Sequence, residues 1–551
     1  MLVPAAHLRH FIDAAGVVRH SEPLIPIDRE RSVHETNTIR AALLSVVFCR
    51  VMIRTANKPY LSKSRLISAW QCPKKLHLEK HHPEWGVITP QMESMFAGGH
   101  QVGAVARQLY GSPDAVEVAF DFRTMIAETR GLIDAGANFP IFEATFRHEG
   151  VLVRVDVLMP EREVGGNSWR VIEVKASTSV KDYHVLDCAI QDWVLRHSGI
   201  NVTGISLAHV NNQFVYRGNG DYHGLLIEHD LTEKARTLEP RVVELVEKAR
   251  DAVTGPMPDT QVGAQCNKPY DCQFQTHCWP TETRYPISGL GGSKAKLGEY
   301  VALGARDILD VDEHSITAAT QQRIYRVTCK GEPEILDAAR QTLEALRYPR
   351  YYLDFETIGP GVPIWPDTRP YATIPVQWSC HIEDENQELR HEEFLDLSGQ
   401  PPMRALAEKL IGCLGDSGPV LMYTTYEQKV IEGLRDMFPD LAESLEKIIS
   451  RLWDLHPVIK LNYYHPDMLG SWSIKAVLPT INPQMDYSKL EGIAEGTAAS
   501  DAFIEAINPE TDMVRKLELE EQLLRYCRFD TEAMVEIVRF FTRPEHGLSL
   551  E

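Results

Sequence analysis

Three groups of residues have types and spacings that could do chemistry. The first is Arg154-Val-Asp-Val-Leu-Met-Pro, followed by Trp169-Arg-Val-Ile-Glu-Val-Lys-Ala. Val151, Val153, Val155 and Val157 alternate with Leu152, Arg154, Asp156 and Leu158, the two-residue period of a half-buried β-strand. Glu161 to Ser168, with Gly-Gly-Asn inside it, supplies a turn into a second strand. Glu173 and Lys175 lie two apart on that strand and leave the same face. Asp156, Glu173 and Lys175 would then put two carboxylates and an ammonium around one point, able to hold a hard divalent cation and polarise a water. The bland alternative is a surface hairpin with a salt bridge.

The second group is Asp354 and Glu356 in Arg350-Tyr-Tyr-Leu-Asp-Phe-Glu-Thr, with Glu427 at a helix start and Tyr526 and Asp530 on a late helix. Tyr526 and Asp530 are four apart, hence on one helical face. Such a set suits a two-metal site, whose ions sit roughly 4 Å apart and clamp the attacking and leaving oxygens of phosphoryl transfer. Asp454, in Leu-Trp-Asp-Leu-His, can substitute for Glu427 or cap the strand end. The third group is Cys266, Cys272 and Cys278, with five residues in each gap. Soft thiolates so spaced suit zinc or an iron–sulfur cluster. Cys72, before a proline at a helix end, is the best-placed fourth ligand, and His277 is the alternative in a zinc site. With Cys72 the site would close a loop of roughly 200 residues, a costly closure without a ligand. Cys49, Cys188, Cys329, Cys380, Cys413 and Cys527 read as ordinary buried thiols.

The elements that must position these groups follow from pattern. Ser62-Lys-Ser-Arg-Leu-Ile-Ser-Ala-Trp-Gln predicts a capped helix running into Cys72 and Pro73. A helix over Glu93–Leu109 carries His100. Strands cover Phe139–Phe146, Val151–Met159, Trp169–Ala176 and Gly204–Val210. A helix with Ala189, Ile190, Trp193 and Val194 on one face crosses between the last two, and a further helix covers Glu233–Val253. This is an α/β core. Ile287-Ser-Gly-Leu-Gly-Gly-Ser opens a helical linker, and Asp307-Ile-Leu-Asp-Val-Asp-Glu within it lacks the spacing of a calcium loop. Strands over Arg350–Thr357, Ile374–Ile382, Glu388–Phe394 and Pro419–Tyr423, then helices from Tyr426 and over Leu517–Phe541, form a second α/β unit. Ser473 reads as a cap for the helix that follows it. Trp472 and His465 read as packing or as a strand-binding groove.

The chain has 551 residues, 44% hydrophobic and 24% charged, the profile of a globular protein of several domains. Its net charge of −20 argues against a protein that coats nucleic acid, but not against a nuclease with acidic metal sites. Ala41–Met52 is too short to span a bilayer and no secretory signal is evident, so a cytoplasmic protein without membrane partners is expected. Residues 1–55 read as an irregular extension, with Met52 a more natural start.

Cys72, Asp156, Glu173-Val-Lys175 and the distal cysteines resemble the RecB-like nucleases of the PD-(D/E)XK superfamily, in the iron–sulfur branch that includes CRISPR-associated exonucleases. The resemblance covers about residues 58–285, although the CRISPR-associated members have a tighter gap between the first two distal cysteines. It implies that Asp156 and Glu173 bind Mg²⁺ or Mn²⁺, that Lys175 positions water, and that Cys72, Cys266, Cys272 and Cys278 hold a [4Fe–4S] cluster, with zinc less favoured. His100, in Gly-Gly-His-Gln-Val-Gly, resembles an extra metal-binding His of that family. Gln191 resembles the Gln of its trailing Gln-x-x-x-Tyr motif, with Leu195 where that motif has Tyr. Asp354-Phe-Glu-Thr, Tyr464-His-Pro-Asp-Met-Leu-Gly-Ser-Trp-Ser-Ile-Lys and Tyr526-Cys-Arg-Phe-Asp resemble the domain of unknown function 2779, and through it the DEDD exonucleases of the ribonuclease H-like fold. There Asp354, Glu356 and Asp530 would bind metal and Tyr526 would orient water, with Glu427 where an Asp is usual. The resemblances imply an α/β chain of two domains, restriction-endonuclease-like over 56–285 and ribonuclease H-like over 348–545, joined by a helical linker at 286–347. They imply a metal-dependent nuclease, with DNA favoured over RNA as partner. A nucleic-acid-binding scaffold with silent centres, or an RNA-directed 3′ exonuclease, is the alternative.

Overall fold

A computed structural model describes residues 60–161, 168–490 and 492–543. The expected extension at 1–55 and the turn at 162–167 lie outside the described residues.

The first sheet has seven strands: β1 (Leu61–Ser62), β2 (Val116–Glu117), β3 (Ile141–His148), β4 (Val151–Pro160), β5 (Ser168–Lys175), β6 (Asn201–Val210) and β7 (Leu226–Asp230). Its order is β2-β3-β4-β5-β6-β7, with β1 also pairing to β4. The β3-β4 and β4-β5 pairs are antiparallel and the β5-β6 pair is parallel. Ser62 caps α1 (Lys63–Gln71) by accepting the Arg65 N–H at 3.3 Å. Cys72 ends α1 in an extended conformation, and Pro73 opens α2 (Pro73–His81), where its missing N–H costs nothing. α1 and α2 pack on α5 (Glu239–Thr254).

β4 departs from the expected half-buried strand. Leu152 and Leu158 are as buried as the valines, leaving Arg154 and Asp156 as its partly exposed members before the strand end. The reason is that helices cover both faces of the sheet. α4 (Asp182–His197) places Cys188 and Ala189 against Trp169 and Val171, while α3 (Pro90–Tyr110) places Val102 and Val105 against Val174 and Val210. A strand inside such a sandwich reads as continuously apolar.

The second sheet has five strands in the order β11-β10-β9-β12-β13. Outside it, β8 (Glu334–Ile335) pairs with Tyr463–Tyr464; the five are β9 (Arg350–Ile358), β10 (Ile374–Glu383), β11 (Leu389–Leu395), β12 (Val420–Met422) and β13 (Leu452–Asp454). The first three are antiparallel, and β12 and β13 are parallel to β9. Gly418, at φ +85°, admits β12 beside β9, since a Cβ there would lie 2.0 Å from the Pro349 carbonyl oxygen. α6 (Tyr426–Met437) follows β12; α7 (Ile474–Ile481), α8 (Gly496–Ile507) and α9 (Met513–Thr542) complete the unit. The protein is thus a mixed α/β chain with two mixed sheets, as expected.

Residues 286–347, expected as a helical linker, are helical but packed. Ile287, Leu290, Ile324 and Leu343 share one apolar cluster with Tyr463, Met534 and Phe541, so burial against α9 holds the stretch in place. No helix among the described residues is long and apolar enough to cross a membrane.

The loop 359–373, between β9 and β10, lies against the first sheet's lobe. Val362 is 8% exposed, in a cluster with Val102, Val105, Val210 and Leu225. Around it the Asp367 N–H donates to Tyr216 O at 2.8 Å, the Tyr216 N–H to Thr368 O at 3.0 Å, and the Tyr371 hydroxyl to Ala176 O. Val362→Asp would bury a carboxylate without a partner at this joint. It is expected to cost on the order of 2 kcal/mol or more, read as a lower unfolding midpoint and as new protease cleavage within 212–224 or 359–373.

Candidate metal centres

In the first lobe the ladder between β4 and β5 ends at the Val157–Ile172 pair. Beyond it the strands part, and Asp156 Oδ2 takes the Val174 N–H at 2.7 Å in place of a backbone acceptor. Into that opening β5 projects Glu173 and Lys175, and α4 projects Asp187 and Gln191. Lys175 Nζ lies 2.6 Å from Glu173 Oε1 and 2.6 Å from Asp187 Oδ2. Gln191 Nε2 donates to Glu173 Oε2 at 2.6 Å, while its Oε1 is buried without a hydrogen-bond partner. Lys63, the first residue of α1, reaches Glu173 at 2.8 and 2.9 Å and Asp187 at 3.3 Å.

The site's electrostatics follow from burial opposed by these ammonium groups. Burial, then the Glu173 charge, push the Asp156 carboxyl up to about 7. Burial would raise Glu173 too, but Lys175 and Lys63 outweigh it and hold that carboxyl well below its usual range. Burial likewise works against both lysines, and Asp187 and Glu173 more than reverse it, so both stay charged.

Asp156, Glu173, Lys175 and Gln191, all expected from sequence, therefore stand at or beside one point. Lys63 and Asp187 were missed. The spacing of Asp187 and Gln191, four apart on a helix, was the available signal. His100 does not join them: it is exposed on α3, which covers the opposite face of the sheet from α4.

The four cysteines Cys72, Cys266, Cys272 and Cys278 line one cavity, with Lys74 and Lys75 beside them. Cys72 arrives on the α1–α2 corner, and the others on the segment after α5. Gln71 Nε2 donates to Gln265 O and Tyr270 O, each at 2.8 Å, and ties the two pieces together. Cys266 Sγ accepts the Gly263 N–H at 3.4 Å. Burial pushes the Cys272 thiol up to about 11 and raises Cys278 as well. His277, the alternative fourth ligand, is exposed and stacks on Trp85 with ring centroids 4.3 Å apart. The remaining described cysteines are free.

In the second lobe, Asp354, Glu356, Tyr526 and Asp530 line an open cavity of about 300 Å³ with Tyr423, Tyr426 and Lys475. Glu427, on the first turn of α6, is 3% exposed and hydrogen-bonds Asp354, leaving its Oε2 buried without a partner. β9, α6 and α9 thus deliver four carboxylates to one place. Burial is the first cause of a raised pKa in all four, and the Asp530, Glu356 and Glu427 charges add to it at Asp354. Two further residues escaped the sequence reading. Tyr487 donates its hydroxyl to Asp530 Oδ1. Cys527, expected as an ordinary thiol, contacts Asp354 Oδ2 at 3.7 Å, and ligand atoms of Asp354, Glu356 and Cys527 lie within 4.8 Å of one another.

Asp454 serves as a cap, and its charge also acts on Glu427. Its Oδ1 caps the helix Leu455–Asn462 through the His456 N–H at 2.9 Å and takes the Thr424 N–H at 3.0 Å. Thr424 has φ +90°, a costly conformation for a β-branched residue. Asp454 therefore holds the strained turn that aims Tyr426 and Glu427. Ser473 occupies the cap position of α7, but its side chain makes no capping bond. Trp472 is packing: it is 6% exposed and its Nε1 donates to Tyr463 O at 2.8 Å.

The family described as Domain of unknown function (DUF2779) matches residues 351–473, which hold Asp354, Glu356, Glu427 and Asp454. No curated protein matches the chain.

Without a cation the second centre must hold protons. Burial is the first cause that pushes Glu427 up to about 8 and Asp530 up to about 6. A carboxyl raised in the folded state lends stability that is complete below its unfolded pKa and is lost as pH climbs through the folded one. In chelator, the melting temperature is expected to fall as pH rises from about 4 to about 8. Added Mg²⁺ or Mn²⁺ should flatten that slope, which differential scanning fluorimetry across the range would read.

Proposed function

We propose that this chain is a metal-dependent nuclease that hydrolyses phosphodiester bonds, with DNA strands or ends favoured over RNA, through two centres braced by a structural iron–sulfur cluster. The observation that carries the reading is the second centre. Asp354, Glu356 and Asp530 line an open cavity, buried Glu427 stands behind them bonded to Asp354, and among the described residues Lys475 is the cation that lines it. Such a set stays ionised only if cations join it, and a buried carboxylate oxygen without a partner on Glu427 is a ligand atom in waiting.

The residues fit hard divalent ions. Asp354, Glu356, Glu427 and Asp530 would hold Mg²⁺ or Mn²⁺ in the second centre, and Asp156 and Glu173 would do so in the first. A bound ion supplies Lewis acidity and lowers the pKa of its water, so no covalent nucleophile is needed. Tyr487 fixes the rotamer of Asp530, and Tyr526 presents its hydroxyl at the cavity wall to orient a water. Lys475 Nζ, anchored by Ala494 O at 2.7 Å, offers a positive charge to a phosphate. In the first centre Gln191 and Lys175 orient Glu173.

The thiol set fits an iron–sulfur cluster. Four cysteines face one cavity and Cys266 already accepts a backbone N–H, the kind of bond that tunes a cluster sulfur. Free thiols among the described residues also suit the reducing cytoplasm. One observation favours a second reading, a scaffold with a silent first centre: Lys63 and Lys175 already neutralise Glu173 and Asp187.

Paired variants separate these readings. With Mg²⁺ or Mn²⁺, the protein should cleave end-labelled single-stranded DNA faster than RNA of the same sequence. Lys175→Ala and Asp354→Ala should each lower cleavage at their own centre by at least about 10²-fold, and the double variant should be inert. Cleavage unchanged by both substitutions would leave the scaffold reading. The purified protein should be brown and carry iron and sulfide, with the colour lost in Cys272→Ala; a colourless protein with one zinc per chain overturns the cluster.

A further inference from the structure

Cys527 stands in the second centre without a part in the hard-cation chemistry assigned to it. It follows Tyr526 on α9 and is fully buried. Its Sγ contacts the Asp354 carbonyl oxygen at 3.8 Å and Asp354 Oδ2 at 3.7 Å. Ligand atoms of Cys527, Asp354 and Glu356 all lie within 4.8 Å of one another. Two carboxylates from β9 and a thiol from α9 therefore surround one point.

This spacing suits a thiophilic ion. Zinc binds thiolate sulfur at about 2.3 Å and carboxylate oxygen at about 2.1 Å, and a tetrahedral angle between those bonds sets sulfur and oxygen roughly 3.6 Å apart. Sγ and Oδ2 are 3.7 Å apart in this centre. Mg²⁺, a hard ion, takes oxygen ligands and leaves a sulfur unused. A second observation points to a ligand at the same place. Glu427 is 3% exposed and hydrogen-bonds Asp354, yet its Oε2 is buried without a partner. A buried polar atom left in that state calls for an ion or a water.

The ligands are shared. Asp354 and Glu356 also belong to the acids that would hold Mg²⁺ or Mn²⁺, so an ion kept by Cys527 takes two of them from the hard-ion set. Affinity for divalent ions at such sites rises from Mn²⁺ to Zn²⁺, and a thiolate selects zinc over the hard ions. The thiol gives its proton to solvent as the ion binds.

Resting on the nuclease reading above, we infer that Asp354, Glu356 and Cys527 form a zinc-class site inside the second centre, and that Zn²⁺ held there displaces Mg²⁺ or Mn²⁺ and stops cleavage. The test uses full-length protein carrying Lys175→Ala, so that cleavage reports the second centre, with Co²⁺ as the spectroscopic substitute for Zn²⁺. The four-cysteine site is the same in every variant and cancels in the difference. Co²⁺ should give a near-ultraviolet sulfur-to-cobalt charge-transfer band that weakens in Cys527→Ser. Asp354→Asn, which keeps the thiol, should weaken it equally and carries the comparison if Cys527→Ser melts early. Against Mg²⁺, the Zn²⁺ concentration that halves cleavage should rise at least about tenfold in Cys527→Ser, each protein measured against its own zinc-free rate. A band unchanged in both variants, or a Zn²⁺ response that Cys527→Ser leaves as it was, overturns the inference and leaves the nuclease reading standing. No cleavage with Mg²⁺ or Mn²⁺ before zinc is added overturns the nuclease reading of this centre and the inhibition with it, and the band then decides the zinc site by itself.

Discussion

Carboxylates buried side by side repel one another, and each also loses the water that would stabilise its charge. Both centres of this protein are built against that cost, and they meet it in different ways. In the first lobe Lys63 and Lys175 lie between Glu173 and Asp187, so the acids are neutralised by the chain itself. In the second lobe three acids line a cavity with, among the described residues, one lysine at its wall, and Glu427 behind them has a carboxylate oxygen without a partner. Burying uncompensated charge costs several kcal/mol per ion.

The frame around each centre exists to hold charges in positions they would otherwise leave. In the first lobe the acids sit where β4 and β5 separate, so a side chain can take over a backbone N–H that the ladder no longer pairs. In the second, the end of β13 supports the strained Thr424 turn through Asp454, and Tyr487 fixes Asp530. The loop 359–373 leaves the strand that bears Asp354 and Glu356, and Tyr371 within it bonds the carbonyl of Ala176, next to Lys175. The lobes are thereby joined close to the strand end of the first centre. The stretch 286–347 adds a third apolar cluster under α9, which carries Tyr526 and Asp530.

Much of this was legible in the residues. Alternation and capping located β4, β5, α1 and α9, because backbone geometry imposes periods of two and 3.6 on any amphipathic segment. Pairs set two apart on a strand or four apart on a helix, such as Glu173 with Lys175 and Tyr526 with Asp530, were visible for the same reason. Burial on both sides of β4 was not, because alternation reports one covered face and cannot count the layers above the other.

What the sequence determined by itself was which short segments hold the candidate residues: three strands with acids, one late helix, three spaced cysteines. Tertiary structure alone decided which of those segments meet. It brought Lys63 to Glu173 across 110 residues, added Asp187, Tyr487 and Cys527, set Cys72 with the distal cysteines, and left His100 and His277 outside. The physical reason is that periodicity is local, written in each residue's few neighbours. Convergence depends on how whole helices and sheets close over one another, and a lone lysine or aspartate bears no local mark of the charge it will meet.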